Sequence, residues 1–455
     1  MPAKDERKYE MEGKDLSKGN LLKNMTLLLI PLVLTNILNS IYNIVDGIWV
    51  GNLIGEDGVS AITNSFPIIV IIRSLGFGLF TAESVLVAQY YGAKNYEKIK
   101  EFMGVTYLLG FIIGIVSVII MFLTSSIWLK LLNTPTEVFE ITKNYLIFYI
   151  IGFMFNIVLT IIMEGLRAIG NTKIPLVFVA ITSILNILLD PIFIKMGYGV
   201  TGTAIATMVS IFIGMIISVI YASKKSNLLK IDLKYLKLKK NYIKDILKIG
   251  LPITLEEIFL AIVAIFSVGI SNQSGIVGSA AYGIGDRYAD TIYVISLSFE
   301  TMATVTVGQF VGNKKVDEIK NIVKQGLKLL ILPCFLILIV TFVVPKQFCR
   351  IFVKSDDVIN LATTYLTIIG IPYIFSPIKK LLQGVIAGTG HTKILMVSIC
   401  TANVVEILTY IILNKTNIES IVKIGIGALL WLLTDLTICT VYFFSNKWKR
   451  EVIER

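Results

Sequence analysis

Charge is scarce in this 455-residue sequence: Asp, Glu, Lys and Arg make up 16% of it, while 55% is hydrophobic. That balance excludes an ordinary aqueous globular domain. Histidine occurs once, at His391, in a turn-like stretch that reads as surface. The four cysteines, Cys334, Cys349, Cys400 and Cys439, have no paired spacing, so disulfide frameworks and His/Cys metal sites are both disfavoured. The N-terminal "MPAKDERKYEMEGKDLSKGN" lacks the short apolar segment and cleavage site of a secretory signal. The first apolar stretch is therefore expected to be its own insertion signal.

What the chain has instead is apolar runs, each long enough to cross a hydrocarbon core of about 30 Å at ~1.5 Å per residue. Twelve are counted, with cores near Leu27–Val50, Val59–Leu86, Phe102–Thr124, Tyr145–Met163, Ile174–Met196, Gly202–Ala222, Ile249–Ser271, Ala280–Val305, Leu327–Val344, Leu361–Leu382, Ile394–Leu413 and Ile424–Phe444. An all-α polytopic membrane protein follows.

The net charge of +11 is explained by where the cations fall. Lys4, Arg7, Lys8, Lys14, Lys18 and Lys23 precede the first span, and the same side receives Lys94, Lys98, Lys100, Lys173, the run from Lys224 to Lys248, Lys314, Lys315, Lys320, Lys379, Lys380, Lys393 and the tail. Lys346, Arg350 and Lys354 are the exception on the opposite side. By the positive-inside rule both termini are expected to be cytoplasmic, and the charge is topology rather than a nucleic-acid footprint.

An internal repeat offset by about 220 residues divides the spans into six plus six. "LIPLVL" around Pro31 answers "GLPITL" around Pro252, and "GEDGVSA" (55–61) answers "GIVGSAA" (275–281). "AQYYGAKNYEKIK" (88–100) answers "GQFVGNKKVDEIK" (308–320), and "GLRAIGNTKI" (165–174) answers "GVIAGTGHTKI" (384–394) with one residue inserted. Six is even, so the halves share an orientation and are expected to form two six-helix bundles related by a pseudo-two-fold axis along the membrane normal. Parallel repeats of this kind point to a transporter with a cavity between the halves. The expected organisation is an N-terminal half, 1–222, a basic cytoplasmic connector, 223–248, read as a helix on the inner surface, and a C-terminal half, 249–455.

Acids inside apolar spans are the residues to question, since a charge at the centre of a membrane helix costs roughly 2.5–3.5 kcal/mol. Asp46 in "YNIVDGIWV" and Asp190 in "SILNILLDPIFI" stand out. Tyr42 and Asp46 share a helix face, as do Asn186 and Asp190. Spans one and five run outward and carry their acids toward their outer ends, and span six brings Thr207 to a similar depth. Hard oxygen ligands of this kind suit a small cation, and two close carboxylates could carry a proton instead. A purely structural reading has Asp190 end a helix before Pro191 and Asp46 reach for the interface, but agreement in depth across three spans favours an ion-coupling site. In the second half Asn403, Glu406 and Tyr410 map near Ser183, Asn186 and Asp190, and Ser267 replaces Asp46, so coupling is expected to be asymmetric. Tyr42, Asn43, Glu256, Glu257, Asp286 and Glu300 are candidate cavity residues. Arg287 with Asp290 and Glu164 with Arg167 are read as local pairs, and Pro31, Pro67, Pro252 and Pro372 as places where helices bend.

The "P…YN…D…WVG" of span one, "LNI.LDPIFI" of span five, the following "G..GTA.AT", the "GLP….E" of span seven and the two "G…TK" turns resemble the multidrug and toxic compound extrusion family, in particular its prokaryotic branch named after a DNA-damage-inducible protein. The likeness covers essentially the whole chain. It implies a V-shaped pair of six-helix bundles in a prokaryotic plasma membrane, exporting drugs and other amphipathic, often cationic compounds against an inward flow of sodium ions or protons. It also implies that Asp46, Asn186, Asp190 and Thr207 form the cation site, with no cofactor besides the coupling ion. Relatives outside this branch carry acids deeper in span seven, where this chain is apolar. A small-molecule substrate, surrounding lipid and a monomeric state are expected. The alternatives are a flippase for lipids or lipid-linked saccharides and, from another class, an intramembrane enzyme, which would need clustered acidic metal motifs that the spans lack.

Overall fold

The computed structural model describes Tyr9 and residues 12–132, 134–272 and 275–449. Lys4, Arg7, Lys8 and the end of the tail, on which part of the charge pattern rests, lie outside the described residues. Lipid offers no hydrogen bonds to a backbone, so a spanning chain must satisfy its own. The described residues accordingly contain helices and no strand. The first half comprises α1 (Leu21–Leu53), α2 (Glu56–Gly92), α3 (Tyr96–Leu131), α4 (Phe139–Ala168), α5 (Lys173–Phe193) and α6 (Gly199–Lys225). The second comprises α7 (Lys240–Asn272), α8 (Gly275–Gly312), α9 (Ile319–Leu329 continuing through Ile331–Leu338 into a π-helical turn, Ile339–Val343), α10 (Asp356–Gly388), α11 (Thr392–Leu413) and α12 (Ser420–Phe444).

Ten stretches of the described residues are long and apolar enough to cross a bilayer. One of them, Lys173–Lys225, has 53 residues and holds both α5 and α6, which reverse direction at Gly197 and Gly199, both at positive φ. With the 33-residue α7 the spans number twelve. Their outer faces stay apolar: Ile30, Phe122, Leu123, Ile411 and Phe444 are among many exposed large hydrophobics, a surface suited to lipid and not to water.

The helices divide into two compact units. The first, here the N-lobe, holds the chain up to Lys18 and Ile30–Thr254; the second, the C-lobe, holds Gly19–Leu29 and the chain from Leu255. Within the N-lobe α2 packs on α4, α4 on α6, and α5 on α6; within the C-lobe α8 packs on α10, α10 on α12, and α11 on α12. The same pairings thus recur six helices later. Backbone conformation repeats as well. Left-handed residues occur at Gly55 and Gly275, Lys94 and Lys314, and Gly170 and Gly390, each pair 220 residues apart. In that register the last sequence match needs no inserted residue.

Two expectations change. The connector is not a surface helix: residues 226–239 are non-helical and pack on the N-lobe. Leu228 and Leu229 are completely buried, the Tyr107 hydroxyl donates to the Leu229 carbonyl at 2.7 Å, and Tyr235 donates to Glu97 at 2.5 Å. That last hydrogen bond holds the Tyr235 phenol above its ordinary pKa. Gly104 allows the Tyr235 carbonyl to approach so closely that a Cβ there would stand 2.2 Å from its oxygen. Second, Lys379 and Lys380 are not loop cations. The helix α10 runs on to Gly388, which leaves both lysines buried well inside it.

Candidate functional site

α1, α5 and α6 bring four side chains together in the N-lobe. α5 passes unbroken through Pro191, so Asp190 does not end a helix; it is completely buried, and Asn186, one turn earlier, is almost so. The antiparallel return of α6 sets Thr207 beside Asn186. An amide's nitrogen and oxygen are distinguished by their partners. With the nitrogen toward the carboxylate, Asn186 donates to Asp190 Oδ2 at 3.1 Å and its oxygen accepts from Thr207 Oγ1 at 3.0 Å. Tyr42, from α1, has its hydroxyl 3.3 Å from Thr207 Oγ1. Since Thr207 spends its proton on Asn186, Tyr42 is the donor to Thr207. The result is a one-way relay, Tyr42 to Thr207 to Asn186 to Asp190, with every donor aimed at the last carboxylate.

Asp46, one turn after Tyr42, brings its carboxyl against that of Asp190, close enough for the two to share a proton. One Asp46 oxygen, Oδ1, is buried and receives no hydrogen bond from a donor. On the α4 side stand Tyr145 and Tyr149, stacked with ring centroids 6.0 Å apart. Nothing in the sequence marked these tyrosines, because aromatic residues are ordinary in an apolar helix.

Asn43, on a neighbouring face of α1, is exposed and takes no part in the cluster. In the C-lobe Glu256 is buried on α7, Glu257 is partly buried beside it, and Asp286 is exposed on α8. Glu300 is not a bare acidic wall: Lys380 Nζ lies 2.9 Å from its Oε2. Asp435 in α12, completely buried, accepts from Lys379 at 2.9 Å, from Ser398 Oγ at 2.5 Å and from Gln383 Nε2 at 3.1 Å. Lys379 also lies 4.0 Å from the centroid of the Trp431 ring. Glu164 and Arg167 form the expected pair on α4, and Arg287 stands over the Phe352 ring. Sequence reading missed Asp435, although an acid within "LLWLLTDLTIC" is the same signal that singled out Asp46.

The MatE family model matches residues 31–192 and 252–412, once in each half. The probable multidrug resistance protein YoeA of Bacillus subtilis is 28% identical over 362 residues, covering 77% of this chain and 78% of its own length. The multidrug export protein MepA of Staphylococcus saprophyticus is 24% identical over 445 residues, 96% of this chain and 95% of its own. A solved structure described as a MATE in complex with MaD3S superimposes with a TM-score of 0.88 at 22% identity, covering 97% of this chain and 98% of that one.

Proposed function

The chain belongs to the MatE family, and from that premise we propose that it is a secondary antiporter of a prokaryotic cell membrane, with both termini cytoplasmic, exporting amphipathic and often cationic organic compounds in exchange for sodium ions or protons. The names of its relatives, multidrug resistance and multidrug export proteins, support the substrate class. The observation that carries the coupling role is the convergence of Asp46, Asn186, Asp190 and Thr207 from three helices onto one buried point.

Those residues fit a monovalent cation chemically. Asp46 Oδ1 is a buried oxygen without a donor, and a bound cation or proton would supply the positive charge that two adjacent carboxyls, one fully and one partly buried, need. A proton fits between Asp46 and Asp190 with every other side chain left where it is. A sodium ion would take Asp46, Asp190, Asn186 and Thr207 as ligands, and for that the Asn186 amide would have to turn its oxygen away from Thr207. In either case a cation entering down ~150 mV gains about 3.5 kcal/mol at ~2.3 kcal/mol per 100 mV, enough for roughly a 300-fold gradient of a neutral substrate. Alternating access uses that energy: substrate loads from the inside, and cation binding from outside favours release and return.

A flippase for anionic lipid-linked saccharides would need uncompensated cations in its core, whereas Lys379 and Lys380 each have a carboxylate partner. Efflux from proteoliposomes, with a sodium gradient and a pH gradient imposed separately, tests the proposal. Asp46→Asn and Asp190→Asn are each expected to abolish ion-driven efflux at normal protein levels; normal efflux in both variants overturns the coupling site.

A further inference from the structure

Another buried acid, Glu83 in α2, has no part in the cluster above. It is completely buried, and neither carboxyl oxygen has a full hydrogen-bond partner, the Gly165 backbone N–H being a donor that comes near without meeting hydrogen-bond geometry. From α4 it is faced by Glu164, whose ion pair with Arg167 occupies that guanidinium, while Arg167 Nε is itself buried without a partner. From α3 it is faced by Tyr107, whose hydroxyl is given to the Leu229 carbonyl at 2.7 Å. The connector contributes an apolar group. A Cβ added to Gly165 would lie 2.8 Å from Leu229 Cδ2 and 3.3 Å from Glu83 Oε1, so the leucine methyl and the carboxyl oxygen meet against the same glycine. Leu229 therefore brings the connector up to the glycine that Glu83 also lies against, with Met103 Cε 3.3 Å from the same point.

The connector is fastened there by the N-terminal segment. The Glu12 carboxylate accepts from Ser226 Oγ and from the Asn227 backbone N–H, both at 2.8 Å, and from the Leu228 N–H at 3.2 Å. The fold itself does not ask for an acid at position 83: Ala303, 220 residues on in the second repeat, is just as fully buried. The Arg167 guanidinium is paired with Glu164, which leaves the Glu83 carboxyl without a cation of its own among the described residues. An ionised carboxylate with no donor is not tolerated in such surroundings, whereas a protonated one is a neutral group of the same shape.

We propose that Glu83 is a proton-binding site of the N-lobe, separate from the Asp46 and Asp190 cluster, and that it keeps its proton only while Leu229 is seated over it. Loss of the proton puts a charge beneath Leu229, draws water or Arg167 toward Glu83 and unseats the connector, and the proton leaves to the compartment that the connector faces. The proposal does not depend on which ion, if any, binds at Asp46.

Hydrogen exchange of residues 227–235, in the full chain reconstituted in lipid nanodiscs and corrected for the intrinsic pH dependence of exchange, tests the linkage. In the wild type, protection should fall as pH rises, by up to about tenfold per pH unit for a single linked proton. The sign is diagnostic, because protonation of the Glu12 clasp would loosen the connector as pH falls. Glu83→Gln and Glu83→Leu, both permanently neutral, should hold the connector protected as pH rises, while Asp46→Asn should keep the wild-type slope. A flat wild-type profile, or a loss of protection with rising pH that survives in either neutral variant, overturns the proposal.

Discussion

Ser267 Oγ lies 3.0 Å from the Tyr410 hydroxyl, which places in the second repeat the same contact between first and fifth helices that Asp46 and Asp190 make in the first. Tyr410 donates onward to Glu406 Oε1 at 2.5 Å, and Glu406 is the residue 220 positions after Asn186. The C-lobe therefore keeps the geometry and changes the chemistry. The Glu406 carboxyl already has a strong donor, where the N-lobe sets two carboxyls face to face.

From this we expect Glu406→Gln to leave ion-driven efflux intact, since the amide oxygen still accepts from Tyr410. Asp46→Asn in the same proteoliposome assay should abolish it. Loss of the ion drive in Glu406→Gln would mean that both lobes couple.

The relay in the N-lobe depends on Thr207, the one group that both receives from Tyr42 and gives to Asn186. Thr207→Val keeps the shape and removes both bonds. Groups that orient ion ligands typically contribute 10–100-fold, so efflux under a fixed ion gradient should slow by about that factor. Thr207→Ser should restore it; an unaffected Thr207→Val variant would remove the hydroxyl from the site.

The four coupling candidates were legible because each is a polar residue on an apolar background and helical periodicity fixes which of them share a face. The twelve spans were legible for the same reason, and the 220-residue repeat reappears in the backbone at Lys94 and Lys314. Lys379 and Lys380 were misplaced because a charge near the end of an apolar run looks like the start of a loop; only the partners Asp435 and Glu300, far away in sequence, keep them inside the helix bundle. The connector misled differently. Its alternating leucines and lysines have the composition of a surface helix, but tertiary contacts from Glu12, Tyr107 and Glu97 decide its path. Glu83 was passed over because it lies near the end of span two, where an acid costs little if it reaches water; its complete burial is visible only in the packed lobe.

The Lys379 and Asp435 pair should matter for stability. Both are buried, at 3% and 0% side-chain exposure. Removing one partner of a buried pair typically costs 3–5 kcal/mol because the other charge is stranded, while replacing both by apolar groups is often close to neutral. Lys379→Met should therefore lower thermal stability in detergent by about 3–5 kcal/mol. The double variant Lys379→Met with Asp435→Leu should regain the larger part of it, short of the bonds lost by Ser398 and Gln383. Equal stability of the single variant and the wild type would show that water reaches the pair.

The difference between the lobes also predicts a steric dependence. Gly427 stands 220 residues after Thr207, and the Tyr410 ring fills the space that a side chain there would need: a Cβ on Gly427 would lie 2.3 Å from Tyr410 Cε1 and 2.8 Å from Cζ. Tyr410 cannot withdraw freely, because its hydroxyl is fixed between Ser267 and Glu406. Gly427→Ala should accordingly destabilise the C-lobe by about 1–3 kcal/mol, the usual range for overpacking a tight interior. Tyr410→Leu empties that space at the cost of the Glu406 hydrogen bond, so Gly427→Ala should cost much less in a Tyr410→Leu background than alone. Thermal unfolding of the two single variants and the double variant measures the coupling directly. Additive effects would mean that the ring and the glycine do not constrain each other, and that the tyrosine is not what replaced the acid and threonine of the first repeat.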